Sequence, residues 1–555
     1  MIWFTGLGLD GDQCCGGPAA RNEELMAHGQ TQKPGSASQN EVIEFLSRPG
    51  SYGLPGGKVD RMETHGALVF LAGDEAYKIK RQVKLPYFDF STLAKRQEAC
   101  RHEIEVNKAQ APQIYYDVVP INRDVSGKLT IGGPGKPIEW AVHMRRFSQD
   151  RLLGAIARKG VLSVKLVSAL AETVAAAHRS APVIESAGYE YIAKVVRQVA
   201  TALPVKPDVF SAEIANDLTE KLERALGKNR HLLLHRARLG CVRRCHGDMH
   251  LDNVVLIGDK PILFDAIEFD DRMASIDRLY DLAFLLMDII HVGQRNAANL
   301  LLNRYLHLMR CEADYSGLSA LPLFLACRAA VRAIVMADRN SASVQRNSAV
   351  IDAYVKQAHE SVMPPPVRLI AIGGYSGTGK STLASSIAPS LGASPGAVHL
   401  RSDTERKALF GVPDTQRLDS GCYTRESARE VYDTLMRKAR RVLAAGHSVV
   451  VDAVFAMPEE RAEVEAIAQR LHVEFSGIWL NAPAEQLASR VNERIGDASD
   501  ATADVVYHQL ERGAGDVQWR IINASGEKEA VHAQAMADLE LLDALNGRPA
   551  GQHCG

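Results

Sequence analysis

Gly374-Tyr375-Ser376-Gly377-Thr378-Gly379-Lys380-Ser381 is a complete G-x-x-x-x-G-K-S. Its glycines let the backbone curl so that N–H groups point at phosphate oxygens. Lys380 is spaced to reach a β- or γ-phosphate, and the Ser381 hydroxyl to ligate Mg²⁺. The context agrees: residues 367–373 are an apolar run that reads as a buried strand, and residues 382–391 read as a helix. The expected nucleotide contacts are therefore Gly374, Ser376, Gly377, Thr378, Gly379, Lys380, Ser381 and Thr382. Working outward, residues 448–451 and 475–480 are further buried-strand candidates with helical patterns between them. Strands alternating with helices predict an α/β unit with a parallel sheet.

Acidic residues stand where such a unit would use them. Val449-Val450-Val451-Asp452 is an apolar strand ending in a carboxylate that can hold Mg²⁺. Leu400-Arg401-Ser402-Asp403 ends another, and Asp403 there could orient and deprotonate an acceptor hydroxyl; capping the helix that follows is its other reading. Arg490 and Arg494 lie four apart, so a helix presents both on one face, as a lid over phosphates or as a solvated basic surface. Arg461 is a weaker candidate of the same kind. This part of the chain, about residues 367–525, resembles the small-molecule P-loop kinases that include gluconate kinase and the zeta-toxin group. Val454 and Phe455 replace the Thr-Asn that related polynucleotide kinases often carry, which argues against a polynucleotide acceptor.

A second, unrelated phosphate signature lies upstream: His246-Gly247-Asp248-Met249-His250-Leu251-Asp252-Asn253, followed by Phe264-Asp265. Asp248 is placed to orient an acceptor hydroxyl or take its proton. Asn253 would bind Mg²⁺ from the same loop, and Asp265, at the end of an apolar strand, would bridge metal and phosphates. The segment resembles the aminoglycoside phosphotransferase and choline kinase-like superfamily, over about residues 41–360. The resemblance implies an α+β protein-kinase-like bilobal fold. It makes Lys78 the ATP-phosphate lysine with Lys80 in reserve, Glu103 its partner, residues 139–144 the inter-lobe hinge, and Asp277 and Asp281 scaffold acids. Glu268 is a minor candidate for the metal. No G-x-G-x-x-G is present in the N-lobe, so the phosphate-covering segment is expected near residues 64–67. An aminoglycoside acceptor would need acids in the C-lobe, where Asp288, Glu312 and Asp314 are available. The whole chain also resembles a bacterial group that fuses such a domain to a P-loop (AAA-type) ATPase or kinase domain, sharing Asp89-Phe90-Ser91-Thr92-Leu93.

At 555 residues the chain is too long for one core. A net charge of −1 gives no basic field for nucleic acid, and no run approaches the ~18 apolar residues of a membrane span. The nine cysteines are scattered and form no pair of C-x-x-C motifs that would suggest zinc; read as reduced thiols, and with no signal-peptide pattern, they suggest the cytoplasm. The expected organisation is a disordered extension (1–40), the kinase-like domain (41–360), a Pro-rich linker (361–366), the P-loop domain (367–548) and a tail (549–555). The prolines at 364–366 are expected to separate two folding units. The expected activity is a tandem ATP- and Mg²⁺-dependent phosphotransferase acting on small hydroxyl-bearing acceptors. The alternative is an ATP-binding regulator in which one half senses nucleotide. A homo-oligomer is left open.

Overall fold

A computed structural model describes residues 37–85, 88–185, 188–339, 344–493 and 498–545. Most of the N-terminal extension, the tail and Arg494 lie outside the described residues.

The N-lobe is a six-stranded antiparallel sheet. Its strands run in the order Asp60–Glu63, Ala67–Ala72, Glu75–Lys80, Lys136–Arg145, Tyr115–Arg123 and Leu129–Ile131. Alternation sets the faces: Lys78 and Lys80, two apart, point the same way, towards the helix Leu93–Lys108 that carries Glu103. The first described helix, Ala37–Leu46, starts a few residues before the expected domain start at 41. The helix Ala37–Leu46 is anchored by Gln39, whose amide nitrogen donates to Lys80 O (3.0 Å) and to Glu139 (2.9 Å).

The C-lobe is mainly helical. The helix Ala212–Arg238 runs for 27 residues, and Arg278–His291 is buried along almost its whole length. Two buried ion pairs fix the core: Arg236 grips Asp277 with two bonds of 2.7 Å, and Arg278 grips Asp314 at 2.9–3.0 Å. Removing one partner of such a pair costs about 3–5 kcal/mol, because the other charge is left buried. The stretch Glu312–Asp338 is long and apolar enough to cross a membrane, but 78% of its apolar window is buried inside the protein, as in a core helix.

The C-terminal unit has five parallel strands, ordered Val398–Arg401, Val449–Asp452, Arg368–Gly373, Glu474–Asn481 and Arg520–Asn523. It does not hang free on the prolines. The C-lobe helix Arg295–Met309, here the docking helix, lies along the outer side of Val398–Arg401. Asn299 donates to Ala397 O (3.0 Å), and Asn303 accepts from the His399 N–H (2.7 Å) while donating to Ala397 O (3.3 Å). His307 and Arg304 both hold Asp414, and Glu312 bridges to Arg437 (3.2 Å) and Arg441 (2.6 Å). Leu301 and Leu306 of the C-lobe and Leu400 and Leu435 of the C-terminal unit belong to one buried apolar cluster. Residues 363–367 are a connection between packed units, not a spacer.

Candidate active sites

The cleft between the N- and C-lobes holds a compact charge cluster. Lys78 Nζ lies 2.7 Å from Glu103 Oε1 and 2.8 Å from Asp265 Oδ1; Lys80 Nζ lies 2.6 Å from Glu103 Oε2 and 2.5 Å from Glu268 Oε1. One glutamate thus ties two lysines. Burial acts to lower both lysine pKa values, but the surrounding carboxylates win and raise them. Burial likewise pushes Asp265 up, yet the charge and hydrogen bond of Lys78 hold it below the usual carboxylate range. Lys78 thus joins the N-lobe strand Glu75–Lys80 to Asp265 of the C-lobe. Lys80 and Glu268 neutralise each other, so Glu268 serves the scaffold rather than a metal.

The catalytic-type loop is held from below. Asp281 accepts the N–H groups of His246 (3.1 Å) and Gly247 (2.9 Å), and Asp288 accepts that of Leu251 (2.9 Å). Arg328 donates to Gly247 O (3.3 Å). Gly247 has φ +83°, and a Cβ there would stand 2.9 Å from Ile267 Cδ1, so the position requires glycine. Asn253 donates from its amide nitrogen to Asp248 O (2.9 Å) and Oδ2 (3.2 Å), which turns the amide oxygen the other way. Asp265 sits at φ +58°, a left-handed conformation uncommon for any residue but glycine, fixed by the Asp265 N–H bond to the Tyr115 hydroxyl (3.1 Å).

Some of these side chains line a cavity of about 450 Å³. Lys78, Asn253 and Asp265 line one end, and Val69, Leu71, Ala76, Met144 and Phe264 give it an apolar slot. Such a pairing of polar end and apolar slot suits a nucleotide. Met62 and Thr64 line its roof, near the phosphate-covering segment expected from sequence. The inter-lobe connection on the cavity wall is Met144–Gln149, just beyond the expected hinge; Glu139 is instead paired with Arg96 at 2.8 Å. Asn253 and Asp265 offer hard oxygen donors that fit Mg²⁺. Cys245, His178 and Asp281 also cluster, but Asp281 already serves the loop N–H groups.

The second site is built almost entirely from neighbours in sequence. Gly374, Gly377 and Gly379 have φ of +138°, +89° and +89°. A Cβ on Gly374 would meet Leu480 O at 2.6 Å, and one on Gly377 would meet Leu487 O at 2.7 Å. The loop runs into the helix Lys380–Ile387, which carries Ser381 and Thr382, with Gly379 at its N-cap. Thr378 Oγ1 and Lys380 Nζ both donate to Tyr375 O, at 2.8 and 3.0 Å. The Ser376 N–H donates to Gln509 Oε1 (2.8 Å), a contact with no sequence signal.

Asp452 is buried at the end of its strand, beside the loop, with Arg401 as its neighbour across the strand pair. Burial raises its pKa, but the His399 hydrogen bond (3.3 Å) and the nearby Arg401 and Lys380 bring it down to about 2. Ser381 and Asp452 again form an oxygen donor set that fits Mg²⁺. Asp403 is in the first turn of the helix Ser402–Leu409, whose N-cap is Arg401, so Asp403 is not the cap. Both acids stand at the C-terminal edge of a parallel sheet, where open α/β folds bind ligands. Arg490 donates to Ala524 O (2.8 Å). Arg461 is buried and clips four backbone carbonyls, those of Phe455, Ala456, Ala514 and Asp516, which makes it a structural residue.

A bilobal kinase-like cleft followed by a P-loop α/β unit defines a two-domain kinase. Residues 92–321 match the phosphotransferase enzyme family, and residues 369–515 match the AAA domain family. The chain belongs to a family that includes uncharacterized proteins of Mycobacterium tuberculosis and Mycobacterium bovis. Each is 31% identical over 489 residues, covering 86% of this chain and 94% of theirs. Among solved structures, a choline/ethanolamine kinase family protein from Mesorhizobium loti is 16% identical, covering 58% of this chain and 94% of its own, with a TM-score of 0.36. A gluconokinase from Sinorhizobium meliloti 1021 is 20% identical, covering 33% and 95%, with a TM-score of 0.25.

Proposed function

We infer that each half transfers the γ-phosphoryl group of ATP to a small hydroxyl-bearing acceptor. The observation that carries this is the Lys78–Asp265 contact at 2.8 Å, which joins the two lobes over the cavity that Asn253 also lines. In the kinase-like cleft, Lys78 grips phosphate oxygens, with Glu103 fixing its position. Asp248 orients the acceptor hydroxyl and takes its proton. In the C-terminal site, the loop N–H groups and Lys380 hold the phosphates, and Asp403 stands where an acceptor would enter. Mg²⁺, held by Asn253 and Asp265 in one site and by Ser381 and Asp452 in the other, would neutralise phosphate charge. No nucleic acid or membrane enters this reading. The six cysteines among the described residues are free thiols, which supports a cytoplasmic protein.

A regulatory role has its own support. Asn303 of the kinase-like unit holds the backbone of His399, and the His399 ring touches Asp452. One unit thereby contacts a metal-site strand of the other.

The test uses the full chain with γ-labelled ATP and a pool of small metabolites. Two variants, Asp248→Asn and Lys380→Ala, silence the sites one at a time. Label is expected in a separate product for each site. ATP binding without transfer by either site would favour the regulator.

A further inference from the structure

The acids that a polycationic acceptor would need near Asp248 are committed elsewhere. Asp288 accepts the Leu251 N–H, Asp314 is buried against Arg278, and Glu312 is spent on Arg437 and Arg441 at the domain junction. The side chains that face Asp248 are basic instead. The helix Leu321–Arg339 passes beneath the catalytic-type loop, and Arg328 and Arg332, four apart, share one of its faces. Arg328 is spent on Gly247 O. One turn further on, Arg332 reaches the cavity wall, its guanidinium 5.9 Å from the Phe284 ring centre and 6.0 Å from that of Tyr354. Besides a hydrogen bond to the Tyr354 hydroxyl, which leaves further guanidinium donors, the charges it feels are Asp288 and Asp248. His250 lines the same wall, with Nε2 3.7 Å from Asp248 Oδ2. Lys78 answers to Asp265 and Glu103, on the metal side of the cavity; Arg332 answers to the acids on the acceptor side. The nearest wall acid outside the metal set, Asp252, is paired with Arg158 at 3.0 Å.

We propose that the acceptor of the kinase-like site is an anion, a hydroxyl compound carrying a carboxylate or phosphate that Arg332 holds, with His250 beside it, while the hydroxyl meets Asp248. This rests on the phosphotransferase reading of the same cleft. The step balances simply. The acceptor oxygen bonds to the γ-phosphorus as the bond to the β–γ bridging oxygen breaks. ADP leaves, and the hydroxyl proton passes to Asp248 and then to solvent. A guanidinium is suited to this role because its planar fork matches a carboxylate or phosphate. A cationic acceptor would be repelled by the same group.

The experiment uses the full chain carrying Lys380→Ala, so that transfer reports the kinase-like site alone. Gluconate, glycerate, glycerol 3-phosphate and ribose 5-phosphate are set against glucose, glycerol, choline and kanamycin, each with γ-labelled ATP. Transfer is expected to anions only. Adding Arg332→Gln should raise the acceptor KM about 10- to 100-fold, the loss of one charge-assisted contact, while the ATP KM moves far less. Arg332→Lys should recover part of the loss. Transfer confined to neutral or cationic compounds overturns the proposal, as does ATP hydrolysis with no transfer to any anion, or an unchanged acceptor KM in Arg332→Gln. Should Arg332→Gln not fold, the selectivity of the Lys380→Ala chain across the panel decides alone. A site that neither binds nor turns over ATP would instead sink the phosphotransferase reading itself.

Discussion

The two sites are assembled in opposite ways. In the C-terminal unit, eight consecutive residues, Gly374 to Ser381, supply the phosphate cradle, and Lys380 rests on a carbonyl of its own loop. In the kinase-like cleft, Lys78 and Asp265 stand 187 positions apart in the chain and meet only because two lobes close on each other. A contiguous site depends on local backbone geometry. A dispersed one depends on buried charges that must be paired before the core will tolerate them, which is why Glu103 holds two lysines and Glu268 holds one. Damage to the first should stay local, whereas damage to the second should spread into folding.

The largest effect that can break this comparison is chemical. Asp248→Asn keeps shape and removes the base, so transfer by the kinase-like site should fall about 10²- to 10⁴-fold while ATP affinity is retained, as seen by single-turnover kinetics and titration calorimetry. Equal losses of binding and turnover would mean that Asp248 belongs to the dispersed charge scaffold rather than to the chemistry.

Acid asks which half gives way first. Burial lowers the His447 pKa from about 6.5 to about 4, against a hydrogen bond to Gly396 O. The unfolded chain therefore binds the extra proton first. Stability should be full above about pH 6.5 and fall as pH drops towards 4, by on the order of 3 kcal/mol. His447→Gln, which keeps a donor, should flatten that slope in thermal melts. If both halves share one transition, the whole transition should move.

Lys380→Ala should weaken Mg²⁺-ATP binding at the C-terminal site about 10- to 100-fold with little change in melting temperature, since the lysine's hydrogen bond is to Tyr375 O of its own loop. Glu103→Gln makes the contrasting case: it leaves Lys78 and Lys80 under-compensated in a buried cluster and should lower stability as well as ATP affinity. If both variants behaved alike, the distinction between local and dispersed sites would fail.

The smallest effect lies at the junction. Asn303→Ala removes the hydrogen bonds to the His399 N–H in the strand and to Ala397 O just before it, which should cost about 1–2 kcal/mol of stability. It should also shift Mg²⁺-ATP affinity at the C-terminal site if the His399–Asp452 contact transmits the change. A stability loss with no shift in affinity would leave the junction purely structural.

The contrast also explains what was legible in the sequence. The P-loop could be read outright because all its parts share one window, and the parallel sheet followed from apolar runs such as residues 449–451. Asp265 could be read with Asp248 and Asn253 as an ordered set, but Lys78 and Glu103 could be placed only through resemblance to known kinases, and nothing in the spacing of the three says that they touch. The partners of Lys80, the Gln509 contact and the face carrying Arg332 were not readable, because each depends on which helix passes behind which loop. The prolines at 364–366 invited a division into independent units. They describe the local stiffness of the chain there, while the separation of units is decided by side chains such as Asn299, Asn303 and Glu312, whose polar character reads as ordinary surface until a partner is seen.

The strand Val398–Arg401 lies at the margin of the C-terminal sheet, with a row of main-chain groups that another strand could pair with. Asn299 and Asn303 occupy part of that row from the docking helix. Synthesis runs from the N-terminus, so the helix is made about a hundred residues before the strand it covers. A kinase-like unit folded before the sheet margin emerges from the ribosome would act as a cis-acting folding template and would shield that margin from pairing with that of a neighbouring chain. The order of the two domains along the gene then matters in itself: exchanged, the same two folds would pass through an aggregation-prone interval at every round of translation.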